Sequence, residues 1–199
     1  MPIMDVRYPA GGLDKTTKAT MAEKLTDVMI RMEGGANTQG GRAFATVLFT
    51  EVAEDNWWVG GRTDGHFVSA SGKFLVHVTI PEGYMNAIHK TEVHVWVTAA
   101  IMEATGTKSD GAAGSSIQVI LDEVPEGNWG AGGRTISLES IAESVGMSKN
   151  GDRFAWVRSY FEAKARQLTH FGYPSDAGGL LPSIAERIGN SNRSSQKVI

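Results

Sequence analysis

The second residue of the chain, Pro2, could do unusual chemistry, because removal of Met1 would leave its ring nitrogen as a terminal secondary amine. An α-amino group titrates at a pH of roughly 7.7–8.0 before any perturbation. An apolar pocket or nearby guanidinium groups would disfavour the ammonium form and lower that pKa. We therefore expect the trimmed chain to carry a free base at neutral pH, which needs no metal or cofactor. With Met1 attached, the same nitrogen is an amide without basicity.

Other catalytic chemistries have little support. The chain has 0 Cys, which excludes disulfides, thiolate nucleophiles and cysteine-ligated metal sites. Three histidines, His77, His89 and His94, crowd one part of the sequence. The last two are five residues apart, a spacing that does not place them together on one face of a helix. The sequence predicts no metal site and no cofactor.

The amino-acid composition limits the classes of binding partner that this chain could have. The chain has 199 residues, 41% of them hydrophobic, and a formal net charge of -3 from 19 basic and 22 acidic residues. No basic block is available to follow a phosphate backbone or an anionic membrane surface, which argues against nucleic acid. No apolar run approaches the roughly 18 residues of a membrane span, and the start of the chain lacks the features of a signal peptide. We expect a soluble, cytoplasmic protein that acts on a small molecule.

The chain contains an internal repeat. An offset of 72 residues superimposes EVAEDNWWVGGRT at 51–63 on EVPEGNWGAGGRT at 123–135, with nothing inserted or deleted. The same offset pairs residues throughout the preceding segments, so that the match extends over a whole structural unit. The sequence thus predicts a first unit at 1–72, a second at 73–136, and a non-repeating extension at 137–199.

Each unit has the pattern of a strand, a helix, a second strand and a short hairpin. The strands are predicted at 3–8, 44–49, 74–80 and 117–121, with prolines at the ends of the first and third. Helices with apolar residues at helical spacing begin after Asp14 or Thr16 in the first unit and after Asn86 in the second. A crossover helix makes the flanking strands parallel. The fold class is therefore α/β, with two β-α-β units forming a four-stranded sheet that carries two helices on one face.

The extension is predicted to be helical. Residues 138–145 and 154–171 have helical patterns, a loop follows at 173–182, a short helix at 183–188, and the last ten residues form a polar tail. The extension could clasp an oligomer or cover a surface, or it could form a lid over an active site.

Several segments of the repeat are similar to segments of a known protein family. The opening Met-Pro-Ile, the β-α-β order and the strings VLFTEVAEDNWWVGG and IQVILDEVPEGNWGAGGR resemble the 4-oxalocrotonate tautomerase branch of the tautomerase superfamily. Fused members of that superfamily contain two such units and typically form trimers, so the resemblance implies a homotrimer and Pro2 as the catalytic base. Phe74 occupies the position of a second proline and lies inside the chain, which implies one catalytic centre per chain.

The resemblance also locates the rest of the site, and there the chain departs from the family. Arginines that bind carboxylates in relatives correspond to Gly12, Tyr84, Thr46 and Gln118 here, and the arginine pair of the related cis-3-chloroacrylic acid dehalogenases falls near Pro81 and Tyr84. Losing these charge-assisted contacts predicts a substrate that is less anionic or differently held.

The side chains found at these positions suggest other roles. Tyr84, Thr46 and Gln118 remain as donors to an enolate oxygen, and we assign Tyr84 a catalytic role beside Pro2. Trp57 and Trp129 correspond to the aromatic position that lines the pocket in relatives, although core packing is an equal alternative. Four arginines could supply a cation from elsewhere, but such residues usually have structural roles: Arg7, Arg42, Arg62 and Arg134.

The expected activity is a cofactor-free keto–enol isomerisation in which Pro2 removes and returns a proton beside a carbonyl group. An alternative uses protonated Pro2 as an acid while water adds to an unsaturated acid, giving a hydratase or dehalogenase. A second alternative is a non-catalytic trimeric binding protein, since the arginines are missing.

Overall fold

A computed structural model of the chain describes residues 2–33, 37, 39–138, 140, 141, 146, 148 and 150–174. Within them the strands and helices are, in chain order, β1 (Ile3–Pro9), α1 (Lys15–Met32), α2 (Gln39–Phe44), β2 (Thr46–Val52), β3 (Phe74–Pro81), α3 (Ala87–Ala104), β4 (Ile117–Val124), β5 (Gly130–Ala131), β6 (Arg134–Thr135) and α4 (Asp152–His170). None of the described helices is long and apolar enough to cross a membrane.

The first four strands form one sheet in the order β2-β1-β3-β4. β1 pairs in parallel with β2, Ile3 lying beside Thr46, and antiparallel with β3, Ile3 lying beside Thr79. Because β1 and β3 are antiparallel, the C-terminal end of β3 lies beside the N-terminal end of β1. Two β-α-β units thus share one sheet, and the predicted fold class is confirmed.

β4 runs parallel to β3, as the crossover helix predicted. The amide of Phe74 donates to the carbonyl of Ser116, and the amide of Glu82 donates to the carbonyl of Val124. Both bonds join residues 42 apart in the sequence, and only a parallel pair keeps such an offset constant.

The sheet is buried on one face. Alternate residues of β1, namely Met4, Val6 and Tyr8, have 0% exposure, because side chains alternate between the two faces of a strand. α1 buries the residues that recur at helical spacing, including Leu25 and Met29, and packs against α3. These apolar side chains form the core between the helices and the sheet.

The ends of the elements show what the sequence specified locally. Asp14 is the N-cap of α1, its carboxylate accepting the amide of Thr17 at 2.7 Å, and this start was one of the two predicted. β1 and β3 each include the proline as their last residue. The predicted strand at 44–49 is wrong at its start, since Gln39–Phe44 forms α2 and β2 begins at Thr46.

Both predicted hairpins are present. Val59 bridges Arg62 in the first, and β5 pairs with β6 in the second. The paired glycines at each tip have positive φ values between 58° and 77°, a conformation that L-residues with a side chain rarely adopt, so they determine the backbone of the turn.

The contacts within the chain divide it into two compact units, whose boundaries do not coincide with those of the two sequence repeats. The first contains 1–80 and 87–122, and the second contains 81–86 and 123–199. The second unit includes α4, which was predicted at 154–171. Leu138, Ser140 and Ile141 are helical. The other residues of the helix predicted at 138–145 lie outside the described residues, and so do the predicted loop beyond 174, the short helix and the tail.

Candidate active site

Pro2 is buried at the start of the sheet. Its carbonyl accepts the amide of Thr46 at 3.2 Å, so the parallel pairing of β1 with β2 fixes the backbone of the terminal residue. Thr46, a predicted site residue, is exposed and lies two residues after the end of α2. The structure thus brings these two predicted residues together in the first unit.

Gln118 is also exposed, but it lies on another strand. β2 and β4 are the two edges of the sheet, so three strand spacings of about 4.8 Å each, roughly 14 Å in all, separate Gln118 from Thr46 across the strands. Within one chain these two predicted donors are not neighbours.

Trp57 lies beyond the far end of β2 and is half-buried. Its carbonyl accepts Nζ of Lys73 at 3.1 Å, and Lys73 directly precedes β3. Since Leu75 of β3 pairs with Arg7 near the end of β1, Trp57 is separated from Pro2 by the length of β1, roughly 20 Å. In a single chain, Trp57 does not line the surroundings of Pro2.

The remaining predicted residues, Tyr84 and Trp129, belong to the second unit. Trp129 is half-buried, and its carbonyl accepts the amide of Ile136 at 2.8 Å across the hairpin. Tyr84 follows β3 by three residues and is 2% exposed. The guanidinium carbon of Arg153, on α4, lies 5.3 Å from the centroid of the Tyr84 ring, within the range of a cation–π contact.

A cluster of polar side chains adjoins Tyr84 in the second unit. Glu82 accepts Oη of Tyr160 at 2.7 Å and Nζ of Lys164 at 2.5 Å. Burial acts to raise the pKa of Glu82, but the bonds from Lys164 and Tyr160 outweigh it and hold that pKa below its ordinary value. Burial, and next the bond to Glu82, raises the pKa of Tyr160. The cluster, which we call the Glu82 clasp, joins α4 to the segment that carries Tyr84.

Sequence reasoning missed a buried carboxyl group in the first unit. Glu33 directly follows α1 in the first unit and is 6% exposed. Burial raises its pKa above the ordinary value. A signal was available, since position 33 continues the four-residue series of Met21, Leu25 and Met29 on the buried face of α1. α1 connects the end of β1 with the start of the parallel strand β2. It therefore ends on the side of the sheet at which both strands begin, and Pro2 lies on that side.

One segment of the chain matches a known protein family. Residues 75–139, which include β3, α3, β4 and the second hairpin, match the family described as tautomerase enzyme. The second β-α-β unit of the chain therefore matches the tautomerase family, and this match covers about a third of the chain. A comparison with curated proteins found no match.

Solved structures of tautomerase-superfamily proteins share the fold. A member of the cis-3-chloroacrylic acid dehalogenase family, N1, has a TM-score of 0.55 and 18% identity, covering 72% of this chain and 98% of that chain. A native fused 4-OT has a TM-score of 0.54 and 21% identity over 67% and 94%. A fused 4-OT asymmetric trimer has a TM-score of 0.54 and 18% identity over 71% and 98%. At these identities the likeness concerns the fold.

Proposed function

We propose that this protein is a cofactor-free keto–enol tautomerase in which the amine of Pro2, freed by removal of Met1, acts as general base. The observation that carries the proposal is the burial of Pro2 at the start of β1 in a tautomerase-superfamily fold. Burial in apolar surroundings disfavours an ammonium group and lowers its pKa, which favours a free amine at neutral pH. Pro2 takes a proton from the carbon beside a carbonyl group and returns it at the other end of the enolate.

The charge that develops on the substrate oxygen needs hydrogen-bond donors. We assign this role to Tyr84, with Thr46 and Gln118 as further substrate-binding residues and Trp57 and Trp129 as apolar walls. The backbone bond between Pro2 and Thr46 supports the pairing of these two. Since Trp57 lies the length of β1 away from Pro2 in its own chain, it reaches Pro2 only when another copy contributes it. The proposal therefore requires an oligomer.

We propose that this oligomer is a homotrimer. Two large apolar side chains on the edge strands are uncovered, with Leu48 51% exposed and Ile120 42% exposed, and the register of β1 with β2 places Leu48 beside Asp5, on the face opposite the buried side chains. Sedimentation or light scattering should give three times the 21.3-kDa mass of the chain. A monomer at micromolar concentration would contradict both the assembly and the placement of Trp57.

The decisive experiment combines mass spectrometry of the mature protein with the Pro2→Ala variant. We expect Met1 to be absent and Pro2→Ala to lose at least about 100-fold in kcat/KM toward an arylpyruvate enol, the scale of a positioned acid–base group. The kcat/KM of the wild type should fall as the pH drops through the pKa of Pro2. Activity lost on deprotonation would instead support a hydratase or dehalogenase, and an unaltered Pro2→Ala variant would support a binding protein.

The role of Tyr84 has a test of its own. Tyr84→Phe keeps the ring and removes only the hydroxyl, so kcat should fall by about 10²–10³, as it does when one donor to a developing oxyanion is lost. Tyr173→Phe is the matched control, because Tyr173 is 57% exposed. Equal turnover in the two variants would remove Tyr84 from the mechanism.

A further inference from the structure

A buried carboxyl group faces the amino terminus of the chain. Glu33 directly follows α1 and is 6% exposed. Burial raises the pKa of Glu33, and the terminal amine acts in the opposite direction through its charge and a hydrogen bond. Removal of Met1 transfers the terminal nitrogen to Pro2, one residue or about 3.8 Å along the chain. The backbone of Pro2 is fixed in turn by the amide of Thr46.

We propose that Glu33 is a positioning residue that binds the amine of Pro2, orients its lone pair toward the substrate and stabilises the ammonium group that forms when Pro2 takes a proton. The inference rests on the proposed function, in which Pro2 is the general base. It adds to that function the side chain that determines the orientation and the basicity of the amine. Since burial alone makes the ammonium form costly, a buried amine that must accept a proton benefits from such a partner.

The end of α1 fixes the position of Glu33. Glu33 is the C-cap of this helix, and its backbone amide donates to the carbonyls of Met29 and Arg31. The location is unfavourable for a carboxylate, because the C-terminal end of a helix carries partial negative charge and because burial removes the carboxylate from water. A carboxyl group at this place therefore needs either a proton or a nearby cation.

The terminal amine supplies that cation. The guanidinium carbon of Arg31, in the last turn of α1, lies 4.0 Å from the centroid of the Trp96 ring. Nη1 of Arg42, on α2, lies 2.9 Å from Oδ1 of Asp27. Neither guanidinium group acts on the pKa of Glu33, whereas the terminal amine does.

The chemistry of a secondary amine suits this arrangement. A neutral proline nitrogen has one N–H bond and one lone pair, so an N–H that donates to the carboxylate of Glu33 directs the lone pair toward the substrate. When the nitrogen of Pro2 takes a proton from the carbon beside the carbonyl group, the electrons of the broken C–H bond move onto the oxygen as an enolate. The carboxylate then binds an ammonium group, and such charge-assisted bonds are stronger than those between neutral groups.

Glu33→Gln tests this role, because it keeps the shape of the side chain and removes its charge. Without the carboxylate the ammonium form of Pro2 is less stable. The acid limb of the kcat/KM profile for an arylpyruvate enol should therefore move to lower pH by about one pH unit or more, the effect of an opposite charge within roughly 4–6 Å. Glu126→Gln is the matched control, since Glu126 is 4% exposed and accepts the amide of Leu138 at 3.1 Å in the second unit. An acid limb that stays in place in Glu33→Gln, or that moves equally in both variants, would overturn the inference.

A labelling measurement separates this inference from the proposed function. The rate at which acetic anhydride acetylates the terminal amine of the full chain without Met1, followed against pH by mass spectrometry, gives the pKa of Pro2 without turnover. A lower midpoint in Glu33→Gln than in the wild type supports the inference even if Pro2→Ala retains activity, and equal midpoints refute it even if Pro2→Ala is inactive. If Glu33→Gln does not fold, Glu33→Asp withdraws the charge by one methylene group and should also lower the midpoint; a wild-type midpoint in Glu33→Asp would refute the inference.

Discussion

The Glu82 clasp should determine how firmly α4 is held, and Lys164→Met tests this. The substitution keeps an unbranched apolar side chain and removes the charge, which leaves the carboxylate of Glu82 with the hydroxyl of Tyr160. The side chains of Lys164 and Glu82 are only 18% and 16% exposed. A carboxylate that is largely withdrawn from water and loses its cation is destabilised, because solvent replaces little of the lost interaction.

The expected cost lies between two limits. Exposed ion pairs contribute roughly 0–1 kcal/mol, and breaking a fully buried pair costs about 3–5 kcal/mol. For a pair that is mostly but not fully buried we expect about 2 kcal/mol after allowance for solvent screening. That amount corresponds to about a 30-fold increase in the opening equilibrium of α4.

Hydrogen exchange of the α4 amides at pH 7 measures that opening. A matched control exists in the first unit, where Glu51 accepts Nζ of Lys18 at 2.8 Å and Oη of Tyr8 at 2.9 Å, the same three residue types. The side chains of Lys18 and Glu51 are 32% and 45% exposed, so Lys18→Met should accelerate exchange in its own unit much less. Comparable effects of the two substitutions, or protected α4 amides in Lys164→Met, would refute the reasoning from burial.

The pH dependence follows from the direction of the pKa shift. The folded protein holds the pKa of Glu82 below its ordinary value, so the stabilisation is present above the unfolded pKa, roughly 4.3, and is lost as the pH falls through the lower folded value. The difference between wild type and Lys164→Met should therefore be full at pH 7 and should disappear in acid. A difference that persists unchanged in strong acid would show that Lys164 acts through packing and not through its charge.

Two further predictions concern stability. Gly11 and Gly83 are equivalent in the repeat and share a φ of 73°, but of the two only Gly83 faces a ring. Both alanine variants should lose roughly 1–2 kcal/mol of folding stability from the strained backbone conformation, and Gly83→Ala should lose about 1–3 kcal/mol more from overpacking. Urea titration of both variants measures the difference. Burial raises the pKa of Glu33, so Glu33 favours folding below its unfolded pKa of roughly 4.3, and this contribution is lost as the pH rises through the higher folded value. Stability measured from pH 4 to 8 should therefore decline less in Glu33→Gln than in the wild type; parallel curves would contradict the assignment.

The sequence predicted the fold because the fold depends on local pattern. Alternating and helical spacing identified the strands and the three long described helices, and the glycine pairs identified both hairpins. It did not predict α2, since Gly40 and Gly41 are poor helix formers. That helix gains an ion pair with α1, Nη1 of Arg42 lying 2.9 Å from Oδ1 of Asp27, which its own residues could not reveal.

The surroundings of the candidate site depend on contacts that are distant in sequence, and these were not predictable. Arg153 and Tyr84 are 69 residues apart, and no repeat relates them. Trp57 was predicted to line the pocket from its place in the repeat, but the register of β1 with β3 shows that it lies the length of a strand from Pro2 in one chain. A repeat specifies equivalent positions and does not specify which of them meet.

Two carboxylates near strand ends, Glu51 on β2 and Glu82 after β3, take their partners from different helices. In the first unit, Glu51 of β2 takes its lysine from α1, the helix that lies between β1 and β2 in the chain. In the second unit, Glu82 takes both its lysine and its tyrosine from α4. The space that a Cβ atom would occupy on Gly11 is open, with no atom within 4 Å, while at the equivalent Gly83 that space is filled by Tyr160. α4 therefore packs against the segment around Gly83 within the second compact unit, where its Tyr160 and Lys164 also hold the carboxylate of Glu82.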